Sequence, residues 1–105
     1  MEKLQSMDQY QEVIGQEHVI LMFSADWCPD CRFIDPFLPE LQAENSDYTF
    51  YYVDRDKFID LCAALSVFGI PSFVAFHKGQ ETGRYVNKER KTKEQIQEFI
   101  NGLTA

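Results

Sequence analysis

The sequence predicts an α/β fold, with a mixed, largely parallel central sheet flanked by helices, in one domain spanning residues 1–105. Short apolar runs typical of buried strands alternate with segments whose apolar residues recur at helical spacing. Helices that cross between buried strands favour parallel pairing. No linker, repeat or low-complexity stretch interrupts the chain, and 105 residues suffice for one domain with its own core. The predicted order of elements is β-α-β-α-β-α-β-β-α.

Capping signals and apolar runs define the first elements. A short strand near Leu4 opens the chain, and the pattern Ser6-x-x-Gln9 predicts the start of a helix that ends near Gly15. The run HVILMF at 18–23 is almost continuously apolar, which is typical of a strand covered on both faces.

The second helix begins inside the motif WCPDC at 27–31. Pro29 fits its first turn, where a missing N–H costs nothing, and Pro36 is expected to kink the helix further on. The spacing predicts one buried helical face, which carries Ile34, Phe37, Leu38 and Leu41.

Another strand and helix follow. The aromatic and β-branched run YTFYYV at 48–53 predicts a second central strand. Helical spacing then recurs in a segment whose apolar face carries Phe58, Leu61, Cys62 and Leu65.

A hairpin and a helix complete the fold. The run SFVAFH at 72–77 and a segment at about 82–86 form two strands joined by a turn at Lys78-Gly79. Thr92 and Gln95 have the spacing of a capping box for the last helix. Its buried face is predicted to carry Ile96, Phe99, Ile100 and Leu103.

The charge distribution argues against several partners. The net charge is −7, yet the segment 84–93 holds five of the ten basic residues. Because phosphate contacts depend on Lys and Arg, so acidic a chain is not expected to bind nucleic acid. We expect the basic segment to be a solvated loop rather than a docking site; if it does dock a partner, an acidic protein surface fits best.

The sequence favours a location in the cytoplasm. It has no run of roughly 18 apolar residues of the kind that a membrane helix needs, and its first residues lack the apolar region of a secretory signal. In such a chain three cysteines point to catalysis or metal binding rather than to a disulfide scaffold.

The cysteine pair of WCPDC favours redox chemistry. Cys28 follows a buried strand and opens a helix, where free N–H groups and the helix dipole stabilise a thiolate. Cys31 lies one turn further in and should be more buried, so Cys28 is the attacking sulfur and Cys31 the resolving one. Side chains about 5–6 Å apart on one helix face can form a disulfide. A disulfide that closes so short a loop, of four residues, would stabilise the fold by only about 2 kcal/mol. A redox-active pair that changes between thiols and disulfide therefore explains the motif better than a structural disulfide.

A metal site is the alternative interpretation of the same cysteines. Zinc would need two further ligands, and the candidates are Cys62, His18 and His77, none of which shows a second paired spacing. We therefore predict neither a metal nor a cofactor.

The resemblance to a known family rests on four segments. MFSADWCPDCRFIDP, YYVDRD, VFGIPSF and FHKGQETGRYV follow one another in the order found in thioredoxins, and the chain resembles that family over nearly its whole length. The resemblance implies the thioredoxin fold and a thiol–disulfide oxidoreductase that reduces protein disulfides.

The resemblance also implies roles for individual residues. Cys28 would attack a substrate disulfide, and Cys31 would displace the reduced product from the mixed disulfide. Trp27 would flank the nucleophile and shape the docking surface. Pro71 would be a cis-proline facing the cysteines, and the backbone of Ile70 would pair with the substrate. Partners would be disulfide-containing proteins, with thioredoxin reductase or another dithiol system as electron donor.

Two groups of departures from the family pattern concern the docking surface. Pro29 and Asp30 replace the usual Gly-Pro between the cysteines. Asp30 either opposes the Cys28 thiolate with its negative charge or serves only the helix dipole. Ser24 stands where many thioredoxins have tryptophan, and Asn87 where a glycine is usual. We expect a narrower or different set of substrates.

A further departure concerns the proton of Cys31. Met22 and Phe50 occupy the positions of the family's buried aspartate and its neighbouring lysine. Losing both charges together is tolerable, because neither is left unpaired. The proton acceptor for Cys31 stays open between Asp30, Asp35, a water molecule and the substrate's leaving thiolate.

Two alternative functions follow from the same motifs. Cys-Pro-x-Cys is also the glutaredoxin pattern, although Trp27 precedes the motif here and no Gly-Gly follows the Pro71 region to hold glutathione. A non-catalytic interaction module with the thioredoxin fold would not need both cysteines. Cys62 fits a buried helix face and is expected to be a core thiol, with a regulatory thiol as the alternative.

Overall fold

The computed structural model describes residues 1–103, so the last two positions of the domain predicted over 1–105 lie outside the described residues. The elements are β1 (Glu2–Lys3), α1 (Met7–Ile14), β2 (Val19–Ser24), α2 (Pro29–Ile34), α3 (Leu38–Glu44), β3 (Thr49–Asp54), α4 (Ile59–Ala64), β4 (Ser72–His77), β5 (Gln80–Tyr85) and α5 (Lys93–Asn101). The predicted order is confirmed, except that the second helix is divided into α2 and α3. Among the described residues no helix has the length and apolar character needed to span a bilayer.

The five strands form one mixed sheet in the order β1-β3-β2-β4-β5. Strands β1, β3 and β2 are parallel, whereas β4 and β5 pair antiparallel to their neighbours. The mixed sheet predicted from the sequence is confirmed, but only two of the four strand pairs among the described residues are parallel, fewer than expected. Phe23, near the end of β2, pairs with Ser72, the first residue of β4, so the chain enters β4 at the edge where β2 ends.

Side chains of β2 alternate between two apolar cores, one on each face of the sheet. Leu21 and Phe23 pack with α1 and α4, while Ile20 and Met22 pack with α2, α3 and α5. Every residue of β2 is completely buried, as the apolar run at 18–23 predicts. The loop that leaves this strand is consequently held from both sides.

Proline divides the second helix as expected. A 3₁₀ turn over Asp35–Phe37 joins α2 to α3, with Pro36 in its middle. The proline ring cannot donate the backbone hydrogen bond that a continuous α-helix needs at this position. The break lets α2 point its first turn at the sheet edge while α3 continues along the core.

The two caps predicted from sequence differ in detail. Thr92 and Gln95 form a complete capping box at the start of α5. At α1 the Ser6 hydroxyl accepts from the N–H of Gln9, but the Gln9 side chain accepts from the N–H of Gln5 instead of Ser6. The helix starts where predicted in both places.

The hairpin between β4 and β5 is tighter than predicted. Lys78 and Gly79 have φ values of 50° and 88°, as a two-residue hairpin turn requires. His77 and Gln80 therefore pair directly, and β5 begins two residues before the position expected for it.

We predict that Phe73→Ala lowers the free energy of unfolding by about 3–5 kcal/mol, because it leaves a cavity under the sheet. Phe73 is completely buried, whereas Phe68 is 79% exposed. The matched change Phe68→Ala should alter stability by no more than about 0.5 kcal/mol. Urea unfolding curves of both variants test this, and equal losses would contradict the packing described here.

Candidate active site

The first turn of α2 is built around the sulfur of Cys28. Cys28 caps the helix with an extended backbone, and its Sγ accepts a hydrogen bond from the N–H of Cys31 at 3.2 Å. Pro29 occupies the first turn, as predicted, where its fixed φ suits the helix. A negative charge on Cys28 would thus accept a hydrogen bond from a backbone N–H at the positive end of a helix.

Cys31 lies deeper than Cys28, as expected. It is completely buried, while Cys28 is 5% exposed. Burial, followed by the hydrogen bond with Cys28, raises the pKa of the Cys31 thiol to about 11. Ser24 and the backbone of Ala25 act in the opposite direction, by hydrogen bonding that favours the thiolate. Cys31 is therefore a thiol near neutral pH and needs help to ionise.

The loop before β4 closes over the cysteines. The Ile70–Pro71 peptide bond is cis, as the resemblance implied, and Ile70 packs against Ala25, Cys28 and Cys31. The expected meeting of this loop with the cysteine motif is thus observed.

A second loop supports the first from behind. The Ser72 hydroxyl donates to the carbonyl of Gly69 at 2.6 Å and reaches the carbonyl of Asn87 at 3.2 Å. Gly69 packs so closely on this loop that a Cβ would lie 2.4 Å from the carbonyl carbon of Asn87. Only glycine fits here, so any movement near Asn87 would reach the residues beside Pro71.

Trp27 flanks the motif as a largely exposed side chain, with 60% of its surface accessible. Its indole Nε1 donates to Oδ2 of Asp56 at 2.6 Å, and the Arg55 guanidinium lies over the ring at 5.8 Å. Asp54 accepts from the backbone N–H of Asp56 at 2.9 Å, which orders this segment. The exit of β3 therefore orients the indole.

A groove of about 310 Å³ opens beside Cys28. Four of its lining residues, Arg55, Phe68, Gly69 and Lys88, were not predicted from the sequence. Phe68 could have been recognised as a surface residue of the site, because it is an apolar residue in VFGIP that belongs to none of the predicted buried helix faces. The groove is lined by Trp27, Cys28, Pro29, Asp30, Arg55, Phe68, Gly69, Ile70 and Lys88.

The basic segment 84–93 is not simply a solvated loop, and that expectation is wrong for its central residues. Arg90 bonds Asp30 at 2.8 Å, and its guanidinium lies 4.4 Å from the centre of the Phe33 ring. Lys91 is completely buried. The negative charge of Asp30 beside the cysteine pair is thus balanced by Arg90, although each partner is partly exposed and such a pair contributes little stability.

The candidates for the proton acceptor of Cys31 also have partners. Asp30 pairs with Arg90, and Asp35 with Arg32 at 3.0 Å. Met22 and Phe50 are both buried in the apolar core below α2 and α5, as the sequence indicates.

Ser24 lies beside Cys31. In the sequence it stood out only because the resembled family often has a tryptophan at this position. Its side chain is completely buried. The hydroxyl lies beside the Cys31 sulfur, whose thiolate it favours, and beside the Tyr52 hydroxyl, so it can donate to the sulfur when Cys31 ionises.

The alternative metal ligands are not brought together around the cysteine pair. Cys62 is 4% exposed in the core between the sheet and α4, where burial raises its pKa, as expected for a core thiol. His18 and His77 stack on each other with ring centres 5.0 Å apart. In the part of the chain that the structure describes, no group of three or more potential ligands could hold a metal ion.

A vicinal thiol pair at the start of a helix, facing a cis-proline loop, defines a thiol–disulfide oxidoreductase. The chain belongs to the thioredoxin family, whose model matches residues 2–102. It is 35% identical over 105 residues to a thioredoxin of Callithrix jacchus, which covers 95% of this chain and 99% of that protein. It is 37% identical over 90 residues to "Thioredoxin-2, mitochondrial" of Schizosaccharomyces pombe, covering 85% of this chain and 68% of that protein.

Solved structures agree with the sequence relatives. A crystal structure of Malassezia sympodialis thioredoxin superposes with a TM-score of 0.82 at 26% identity, covering 99% of this chain and 93% of that one. The fold and the oxidoreductase class expected from the sequence are confirmed.

We predict that alkylation of the reduced protein near neutral pH modifies Cys28 well before Cys31. The Cys31 thiolate forms only as the pH rises towards about 11, so its labelling should accelerate steadily with pH. Timed iodoacetamide labelling with peptide mass spectrometry measures both sites. In urea both cysteines should react alike, and equal rates in the folded protein would contradict this environment for Cys31.

Proposed function

We propose that this protein reduces disulfide bonds of other proteins through a cycle in which Cys28 attacks and Cys31 resolves. The observation that supports it best is the position of Cys28, whose sulfur lines the groove and faces the N–H of Cys31 at the start of α2. A negative charge at this point would lie beside the groove and at the positive end of the helix. Thiolates, not thiols, attack disulfides.

The first step forms a mixed disulfide. The Cys28 thiolate attacks one sulfur of the substrate disulfide, and the other substrate sulfur leaves and takes up a proton. The substrate chain would lie in the groove, with its backbone pairing to Ile70 beside Pro71. Trp27 and Phe68, both strongly exposed, would provide apolar contacts on either side.

The second step releases the product. Cys31 loses its proton and attacks the sulfur of Cys28, so a Cys28–Cys31 disulfide forms and the second substrate thiol leaves. The substrate gains two electrons and two protons, which the two cysteines lose. Ser24 would donate to the transient thiolate of Cys31, because its hydroxyl is buried beside that thiol.

The partners and the compartment belong to this proposal. Substrates would be disulfide-containing proteins, and a thioredoxin reductase or another dithiol donor would return the pair to thiols. A glutaredoxin-like cycle would instead be sustained by glutathione and glutathione reductase, and activity with that couple alone would favour it. We propose a cytoplasmic location, because thiols are kept reduced in the cytoplasm. The Schizosaccharomyces pombe relative is named as a mitochondrial protein, and that name describes the relative rather than this chain.

We predict that the protein accelerates insulin disulfide reduction by dithiothreitol and that Cys28→Ser abolishes this activity, because no sulfur remains to form the mixed disulfide. Cys31→Ser should instead accumulate mixed disulfides that mass spectrometry can identify. Cys62→Ala is the matched control, since Cys62 lies in the core away from the pair, and its rate should equal that of the unmodified protein.

Full activity of the Cys28→Ser variant would refute the proposed cycle. Lack of insulin reduction by the unmodified protein, with its disulfide cycle intact, would favour the non-catalytic module or a much narrower set of substrates.

A further inference from the structure

Lys91 is a buried cation that the cycle described so far does not use. Its side chain is completely inaccessible, although lysine is among the residues least often fully buried. Removing an ammonium group from water is costly unless the charge is paired. A lysine at this depth calls for a charge that balances it.

Neutral oxygens, rather than carboxylates, hold the Lys91 ammonium. Its Nζ donates to Oδ1 of Asn87 at 2.8 Å and to the carbonyl of Glu89 at 2.9 Å, and it reaches the carbonyl of Asn87 at 3.4 Å. Within residues 1–103 none of the ion pairs includes Lys91. Its donors are satisfied, but its positive charge has no fixed counter-charge.

Contacts of the preceding residue place Lys91 beside the cysteine motif. Arg90 is anchored to Asp30, between the two cysteines, and the carbonyl of Asn87 that Lys91 reaches also faces the Ser72 hydroxyl next to Pro71. The Lys91 ammonium thus lies behind the loop that closes over Cys28 and Cys31.

The charged and titratable groups that face Lys91 are few. From the cap and first turn of α2 they are Cys28, Asp30 and Cys31, and from its own loop Glu89, while the Tyr85 ring lies 5.0 Å from Nζ. Burial lowers the pKa of Lys91, and among the groups that oppose this Cys31 acts most strongly. Asp30 is already paired with Arg90 and Glu89 is exposed to solvent, so the two sulfurs are the buried groups left to balance the lysine.

We propose that the buried ammonium of Lys91 is the counter-charge that stabilises the Cys31 thiolate as it attacks the mixed disulfide. The proposal rests on the order of attack given above, with Cys28 first and Cys31 second. It supplies a positive charge in a site where Met22 and Phe50 leave the sheet below the cysteines apolar. In the step itself Cys31 gives its proton to solvent or to the departing thiolate, the Cys28–Cys31 bond forms, and the substrate sulfur leaves.

A purely structural role for Lys91 is the alternative. Lys91 holds Asn87, and Asn87 packs against Gly69, so the lysine could serve only to position the loop before β4. The two roles differ in one respect: loop positioning depends on hydrogen-bond donors, whereas thiolate stabilisation depends on charge and therefore on pH.

The experiment follows the two sulfurs separately. Dithiobisnitrobenzoate, a chromogenic disulfide, is mixed with excess reduced protein. Attack by Cys28 releases one nitrothiobenzoate in a phase whose rate depends on concentration, and resolution by Cys31 releases the second in a phase that does not. Lys91→Gln removes the charge and keeps N–H donors, Lys91→Met removes both, and Lys78→Gln is the control at an exposed turn.

We expect both Lys91 variants to slow the second phase roughly tenfold near neutral pH, because losing a nearby opposite charge makes the thiolate scarcer. Their rates should approach that of the unmodified protein as the pH rises, which displaces the pH profile upward by about one unit. Lys78→Gln should leave both phases unchanged.

An unchanged second phase and pH profile in folded Lys91→Gln or Lys91→Met protein would overturn the proposal. Failure of both variants to fold would also overturn it, since the charge would then serve stability. A single phase in the unmodified protein would instead refute the order of attack, and the proposal with it, so the two failures can be told apart.

Discussion

The hydrogen bond from the N–H of Cys31 to the sulfur of Cys28 is the interaction on which the site depends. It makes the sulfur the cap of α2, so a backbone donor and the positive end of the helix meet at the atom that must carry negative charge. The completely buried strand β2 leads directly to this cap, and two apolar cores hold that strand in place. The position of one sulfur thus follows from the packing of the whole sheet.

The two sulfurs have opposite environments within one turn of helix. Cys28 lines an open groove, whereas Cys31 is sealed beneath Ile70 and Ala25, where burial raises its pKa. Such a pair divides the chemistry into an encounter with a substrate outside and a resolving step inside. The inner step is the one that needs electrostatic support, because a thiolate in an apolar environment is costly.

Positively charged side chains lie beside the cysteine pair although the net charge of the chain is negative. The protein carries a net charge of −7, yet its basic segment folds onto the cysteine motif, with Arg90 on Asp30 and Lys91 buried behind the pair. An acidic surface with a positive site favours anions there, including the thiolates formed during the cycle. The departures at Met22, Phe50 and Asp30 are therefore best considered together with this segment.

Local signals in the sequence predicted most of the fold. The apolar run before the cysteines, the helix starts after Ser6 and Thr92, and the break at Pro36 each depend on neighbouring residues, and all are found as expected. The direction of β4 was not predictable, since it depends on where the chain returns after α4.

Contacts between distant segments explain what was missed in the site. Asp30 and Arg90 are sixty positions apart, so their ion pair leaves no pattern in the sequence. Lys91 stands among other basic residues and looks like part of a solvated stretch; its burial follows only from the packing of two loops. The cis bond at Pro71 came from the family resemblance, because only about 5–6% of X–Pro bonds are cis.

Equilibrating the protein with mixtures of reduced and oxidised dithiothreitol tests the pairing of the two sulfurs most directly. The fluorescence of Trp27, the only tryptophan in the chain, reports the fraction that is oxidised in each mixture. We expect a single two-electron transition, after which peptide mapping finds one disulfide, between Cys28 and Cys31, and a free thiol at Cys62. No transition, or a disulfide that includes Cys62, would contradict this pairing.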